Sequence, residues 1–261
     1  MFTKSMLVLL IAGLILTVIG FKQFVWFMSI GYGLAVMGYG LILLFMGLKA
    51  GASLAYLLLC VVLAIYGCRL GLFLLVREMK DKNFKNTEAA KSGAKAVPIF
   101  VKVSMWIMCP ILYILQASPL IYRLENGVFD GASLLIGLAI SIIGVLMETV
   151  SDAQKSAAKK ANPRRFCDTG LFKICRCPNY FGEILVWTGV FVSSFGALSG
   201  LQWLLAIIGY VAIVYIMVEG AIRLEKRHNK NYGNDPEYVK YSNTTPILVP
   251  FVPLYHLVKE K

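Results

Sequence analysis

Carboxylates are scarce: 14 Asp and Glu stand against 26 Lys and Arg, and none precedes Glu78. The first three apolar stretches therefore have no acid to bring to a site. Histidine is scarcer still. With only His228 and His256, an imidazole-built zinc or iron centre is not expected. Six cysteines are present, Cys60, Cys68, Cys109, Cys167, Cys175 and Cys177. The last three form the one cluster, whose spacing is neither C-x-x-C nor a paired zinc pattern with histidines, so no metal is expected. Thiols placed in helices or cytoplasmic segments stay reduced. Charged residues of either sign make up only 15% of the chain, and no internal repeat, low-complexity tract or soluble domain stands out.

What fills the chain is apolar, at 58% hydrophobic residues, a composition for a polytopic membrane protein. A hydrocarbon core of roughly 30 Å takes about 20 apolar residues per helix. Seven runs qualify: 5–21, 25–48, 52–76, 98–121, 129 to beyond 150, 180–198 and 201–222. The first is too long for a secretory signal and no A-x-A-like site follows it, so it reads as a span. The expectation is an all-α membrane protein, a seven-transmembrane-helix bundle forming one integral domain. Residues 1–95 carry helices one to three and a basic linker; residues 96–261 carry helices four to seven and a tail.

Charge sets the orientation. Arg77, Lys80, Lys82, Lys85, Lys91 and Lys95 follow the third run, Lys155 to Lys173 carry the fifth connection, and Arg223, Lys226, Arg227 and Lys230 follow the last. The alternate connections hold little beyond Lys49 and Arg123. Basic loops stay in the cytoplasm, so the N-terminus is expected outside and the C-terminus inside. A net charge of +12 then reads either as the ordinary result of such loops or as a site for a polyphosphate on the cytoplasmic side. Nucleic acid is not an expected partner, since the basic residues are tied to membrane ends without interleaved aromatics. The tail "NTTPILVPFVPLYHLV", with Pro246, Pro250 and Pro253, cannot form a regular helix and is expected along the cytoplasmic face.

Polar residues inside the apolar runs mark a site. In "METVSDAQKSAAKK", Glu148, Asp152, Lys155 and Lys159 fall four, three and four apart, on one helix face. The row is either a solvated helix end with ion pairs across turns or the wall of a wet cavity. In "RCPNYFGEILVW", Pro178 suits the first helical position. Asn179, Glu183 and Trp187 follow on one face, and Arg176 sits before a helix start able to hold an anion. Glu219, Arg223 and Arg227 form a row expected to face inward, and Tyr66, Arg69 and Arg77 another. Four rows suggest a shared pocket, with bases at the rim suited to a phosphorylated cofactor.

The stretch "FCDTGLFKICRCPNYFGEILVW" resembles the signature of the membrane steroid 5-alpha-reductase superfamily, especially its bacterial DUF1295-like branch, usually worded "FCDTGLWRYSRHPNYFGE". The resemblance runs from about Glu148 to Phe251. It implies a bundle of seven helices holding NADPH in its cytoplasmic half and reducing the activated carbon–carbon double bond of a steroid-like or other lipidic enone. Carried over by position, Asp152, Lys159, Arg165, Asn179, Glu183, Arg223 and Arg227 fall where the family contacts NADPH. Asn179 and Glu183 would then hold the nicotinamide carboxamide. Lys155, Arg176 and Tyr180 complete the candidate cofactor-binding set. "YGCR", from Tyr66 to Arg69, is similar to the family's tyrosine-x-x-arginine, which makes Tyr66 the candidate catalytic residue: its phenol would stabilise the charge that hydride addition develops on the enone oxygen. The bacterial branch implies an inner membrane in preference to the endoplasmic reticulum.

Two departures stand out. The family's histidine before "PNY" is Cys177 here, and the glutamate that steroid reductases add from an earlier helix has no counterpart, since no acid precedes Glu78. The substrate expected is thereby widened from steroids to other lipidic enones. Two alternatives remain open. One is an S-adenosylmethionine-dependent membrane methyltransferase, whose relatives carry "RHPxY" without the flanking "CDTG" and "FGE". The other is a non-catalytic sterol-binding protein of the same fold.

Overall fold

A computed structural model describes residues 3–80 and 97–258. Lys82, Lys85, Lys91 and Lys95 of the expected basic linker lie outside the described residues. Those described form helices and their connections, with no strand among them. The helices are α1 (Lys4–Thr17), α2 (Ile30–Lys49), α3 (Leu54–Lys80), α4 (Ile99–Glu125), α5 (Ala132–Ala161), α6 (Pro178–Val192), α7 (Leu201–Tyr232) and α8 (Pro236–Thr244).

Six helical segments are long and apolar enough to cross a bilayer: Lys4–Phe21, Phe24–Lys49, Leu54–Arg77, Ile99–Glu125, Ala132–Ala161 and Leu201–Tyr232. Large apolar side chains such as Leu7, Ile15, Leu135, Leu146 and Val211 are exposed along them, which fits contact with lipid. The expected run 180–198 is shorter than its hydropathy suggests. α6 has 15 residues, about 22 Å at 1.5 Å each. It ends where Ser193 and Ser194 turn their hydroxyls back onto the carbonyls of Val190 and Phe191, both at 2.6 Å, and where Gly196 takes a positive φ of 79°. α7 runs the other way, past the expected end near 222. Its 32 residues span about 48 Å.

The chain divides into two compact units. One holds the residues up to Leu138 and Val190–Tyr210; the other holds Ala139–Gly189 and the residues from Val211 on. In the first, α2 and α3 touch backbone to backbone: a methyl group on Gly33 would come within 2.5 Å of the Gly71 nitrogen, and one on Gly40 within 2.6 Å of the Ala64 nitrogen. Tyrosines tie this pair to α4. Tyr39 donates to the Pro110 carbonyl at 3.4 Å and Tyr56 to that of Leu120 at 3.2 Å. Arg123, read from the sequence as a lone loop charge, is fully buried. Its guanidinium donates to the carbonyls of Ser193, Val128 and Asp130 at 2.7, 2.8 and 2.8 Å, joining the end of α4 to two loops.

In the second unit, α5 and α6 cross at glycines. A methyl on Gly144 would lie 2.6 Å from the Gly182 carbonyl oxygen, and one on Gly182 would lie 2.8 Å from the Glu148 nitrogen. Ser141 donates to the Val186 carbonyl beside the crossing, at 3.0 Å. α8 has a local cause that the sequence reading did not use: Asp235 caps it by accepting from the Glu237 nitrogen at 2.9 Å, with Pro236 at the first position. The following tail is irregular, as its prolines require.

Candidate functional site

The α5–α6 crossing delivers the first site residues. With Gly182 against the Glu148 backbone, the acidic row of α5 meets the helix that carries Asn179 and Glu183. Glu148, Asp152 and Glu183 are buried, at 3%, 8% and 8% exposure. The reading of the α5 row as a solvated helix end therefore fails at its apolar end. The Oδ1 atom of Asn179 is also buried and has no hydrogen-bond partner among the described residues. Pro178 opens α6, as its type predicts.

Further along α5 the row turns basic and borders a hollow. Lys155, Lys159 and Arg176 line it together with Phe166, Phe172 and Tyr241, around a narrow cavity of about 20 Å³ partly open to solvent. Cys167, Leu224 and His228 complete the wall. Phe166 stacks on Tyr241 with ring centres 5.3 Å apart, and Tyr241 donates to the Phe172 carbonyl at 2.7 Å. Burial pushes the Tyr241 phenol above its ordinary range, so it stays a neutral donor. This aromatic wall was not anticipated. Its signal was present in "FCDTGLF", whose two phenylalanines, Phe166 and Phe172, bracket the loop. Gly170 in that motif sits at φ 61°, where the Gln154 amide fills the space a side chain would take. Gln154 accepts from the Leu171 nitrogen at 2.8 Å, fixing the loop on α5.

Arg176 is less free than an anion-binding arginine at a helix start. It is 6% exposed and pairs with Glu225 at 3.0 Å, donates through the same nitrogen to the Tyr255 carbonyl, and its backbone N–H bonds the Pro246 carbonyl at 2.8 Å. Its Nε has no partner among the described residues. Glu225, which the sequence reading passed over, is 2% exposed and collects donors. The nitrogens of Leu257 and Val258 reach its Oε2 at 2.9 and 3.1 Å, and His256 Nδ1 lies 3.0 Å from its Oε1. The pair thus fastens the tail to α7. Glu225 stands off the Glu219–Arg223–Arg227 row, which is why the row analysis missed it.

The remaining candidates scatter. Lys159 bonds the carbonyls of Pro163 and Arg165 at 3.2 and 2.6 Å and the Tyr232 hydroxyl at 2.8 Å. Arg165 is exposed and bridges Glu237 and Asp168, the first of which does most to hold its guanidinium protonated above the ordinary value. It stands outside the hollow's lining. Arg223 and Arg227 were expected to face inward, yet both are exposed; they line an open groove of about 240 Å³ with Tyr180, Gly220 and Leu224. Long side chains at the end of an overlong helix reach water at little cost. Tyr66 belongs to the first unit, where it is fully buried in α3.

Cys177, standing where the resembling family has histidine, packs with Ala221, Leu224, Ile247 and Leu248. A small apolar side chain suits that cluster. Burial pushes the thiols of Cys175 and Cys177 up to about 12, so neither is a reactive thiolate near neutrality. No three histidine, cysteine or acidic side chains come together as a metal site among the described residues.

The family described as "Protein of unknown function (DUF1295)" matches the chain over residues 13–245. The match takes in the N-terminal helices as well as the signature. No curated protein and no solved structure matches the chain.

Proposed function

The chain belongs to the DUF1295 family, and from that premise we propose that it is an NADPH-dependent membrane reductase acting on the activated C=C bond of a steroid-like or other lipidic enone. The observation that carries the proposal is the clustering of Lys155, Lys159 and Arg176 against an aromatic wall. Lys155 and Lys159 suit a polyphosphate beside the Arg176–Glu225 pair, and aromatic faces suit the rings of a dinucleotide. The buried Oδ1 of Asn179 is an acceptor suited to the amide N–H of a nicotinamide carboxamide, with Glu183 a second acceptor on the same helix. Arg223 and Arg227 with Tyr180 border the groove that would take a further anionic group. The cofactor would supply hydride. On the protein side, Tyr66 would donate its phenolic proton toward the carbonyl oxygen, stabilising enolate charge in a dry interior.

The membrane reading extends in the same way. α6 counts as a short seventh span, the N-terminus is outside and the C-terminus, with the basic end of α7, is in the cytoplasm of a bacterial inner membrane. The asymmetry of basic residues supports this.

Titration of the detergent-purified protein with NADPH, followed by cofactor fluorescence, tests the proposal. Saturable binding is expected, weakened in Glu183→Ala, with NADPH oxidation on adding an enone lipid. Tyr66→Phe should bind NADPH normally while slowing turnover. Binding of S-adenosylmethionine in place of NADPH would replace this reading with a methyltransferase, and lipid binding without any cofactor would replace it with a sterol-binding role.

A further inference from the structure

Residues 245–255 of the tail carry no charged side chain, yet their apolar residues do not all turn inward. Ile247 and Leu248 are buried. Beyond them Val249, Phe251, Val252 and Leu254 are exposed, and Phe251, at 88%, is the most exposed large apolar residue among those described. The segment is a closed turn. The Ile247 nitrogen donates to the Leu254 carbonyl at 2.9 Å, and the Val252 nitrogen to that of Val249 at 3.3 Å. In the inner turn Pro250 takes the second position, which favours proline, and Phe251 takes the third with a φ of 65°. Glycine is the usual residue at such a torsion. Among the described residues no other non-glycine has a positive φ, and a ring so exposed finds little packing within the chain to offset the strain.

The height of this turn follows from α7. Ala221 stands 20 residues after Leu201, about 30 Å along the axis at 1.5 Å per residue, which is the thickness of a hydrocarbon core. Ile247 and Leu248 pack against Ala221 and Leu224 together with Cys177. α8 lies farther out, since Tyr238 donates to the Asn229 side chain at 2.8 Å, about 12 Å beyond Ala221 along α7. The tail therefore leaves α8 and returns to the level where α7 meets the edge of the bilayer. Cations stand at that height: Arg223, Lys226 and Arg227 are exposed on the adjoining turns of α7. Apolar side chains at the acyl boundary with basic ones among the phosphates are the composition of a segment that lies in the interface.

We propose that the turn over residues 247–254 is an interfacial lipid anchor, which sets Phe251 into the headgroup–acyl boundary of the leaflet at the basic end of α7. Its partner is the bilayer. Depth decides this against a soluble protein, whose docking face would stand clear of the membrane, whereas this turn is brought back to it. The torsion at Phe251 aims the one large ring of the turn away from the chain, where only lipid takes up its apolar surface. The anchor holds the tail from the lipid side. From the protein side the tail is held by the Tyr255 carbonyl on Arg176 and by the Leu257 and Val258 nitrogens on Glu225. The inference is independent of the cofactor.

The test is Phe251→Trp in the full chain, reconstituted in vesicles of phosphatidylcholine and phosphatidylglycerol, with wild-type emission subtracted to leave that of the added indole. The added emission is expected to be blue-shifted, quenched strongly by lipids brominated near the headgroup, less by lipids brominated near the bilayer centre, and little by aqueous iodide. Quenching by iodide without quenching by bromolipid places the ring in water and overturns the proposal. Protection from both quenchers places it against protein, a second copy or another partner, and overturns it equally. Phe251→Gly gives a second readout. Glycine suits the torsion, so this variant should melt no lower than wild type in detergent, while protease added to the vesicles should cut the tail about tenfold faster once the ring's hold on lipid is gone. An unchanged cleavage rate, or a lower melting temperature that makes Phe251 a packing residue, overturns the anchor.

Discussion

Removing Glu225 should cost more than removing Arg176, although the two form one ion pair. Arg176 is 6% exposed and Glu225 2% exposed, so deleting either partner leaves the other charge uncompensated in a buried place, at about 3–5 kcal/mol. The two are not symmetric. In Arg176→Met, Glu225 keeps the Leu257 and Val258 N–H groups and His256 as donors, so its charge remains solvated by the fold and the loss should sit near the bottom of that range. In Glu225→Leu, the Arg176 charge is stranded and the two N–H groups of the tail also lose their acceptor, each worth about 1 kcal/mol or more. The loss should then reach the top of the range. For a chain of this size about 1 kcal/mol shifts the midpoint by roughly 2–4 °C, so melting in detergent should fall by about 10 °C for Glu225→Leu and visibly less for Arg176→Met. The double variant should recover part of the loss, because a buried pair replaced by apolar groups is often neutral, but not the part due to the tail N–H groups. Limited proteolysis offers a second readout, with cleavage between Thr245 and Val258 appearing first in Glu225→Leu. Equal losses, the reverse order, or an unchanged tail would refute the role assigned to Glu225.

Other outcomes follow from the same geometry. Asn179→Leu should weaken NADPH binding about tenfold, the loss of one buried hydrogen bond, with little change in melting temperature, as read by fluorescence titration; a strong drop in stability would instead make Asn179 structural. Gly182→Val should lower the yield of folded protein and its melting temperature by several degrees, because even a methyl there meets the Glu148 backbone at 2.8 Å. Cys175 and Cys177 should resist maleimide at pH 8 in the folded protein and react after denaturation in SDS. Their folded pKa of about 12 lies above the ordinary 9.0. The unfolded chain therefore loses protons first, and the stability these thiols contribute is full below pH 9 and falls as pH rises toward 12; a melting temperature flat across that window would contradict their burial.

What the sequence disclosed depended on the range of the interaction. The α5 row was legible because Glu148, Asp152, Lys155 and Lys159 repeat at helical spacing, and the structure buries its acidic end while its basic end lines the hollow. The opening of α6 at Pro178 was legible for an equally local reason. Hydropathy placed the long helices but misjudged the length of α6, since Ser193, Ser194 and Gly196 stop a helix by hydrogen bonding and backbone torsion, to which an apolar average is blind. Partnerships between distant segments were not legible. Nothing near Arg176 in the chain announces Glu225, and periodicity on α7 pointed to Arg223 and Arg227 instead, which lie exposed. The same limit explains Cys177. Read against the histidine of the resembling signature it looks like a lost polar contact, but Ile247 and Leu248 of the tail close over it, and the position needs a small apolar group as long as Arg176 and Glu225 hold that tail in place. The cysteine, the buried ion pair and the proline-rich tail therefore form one unit of adaptation. Placing histidine at residue 177 should set a larger imidazole against Ala221, Leu224, Ile247 and Leu248, and so loosen the tail rather than improve a cofactor contact.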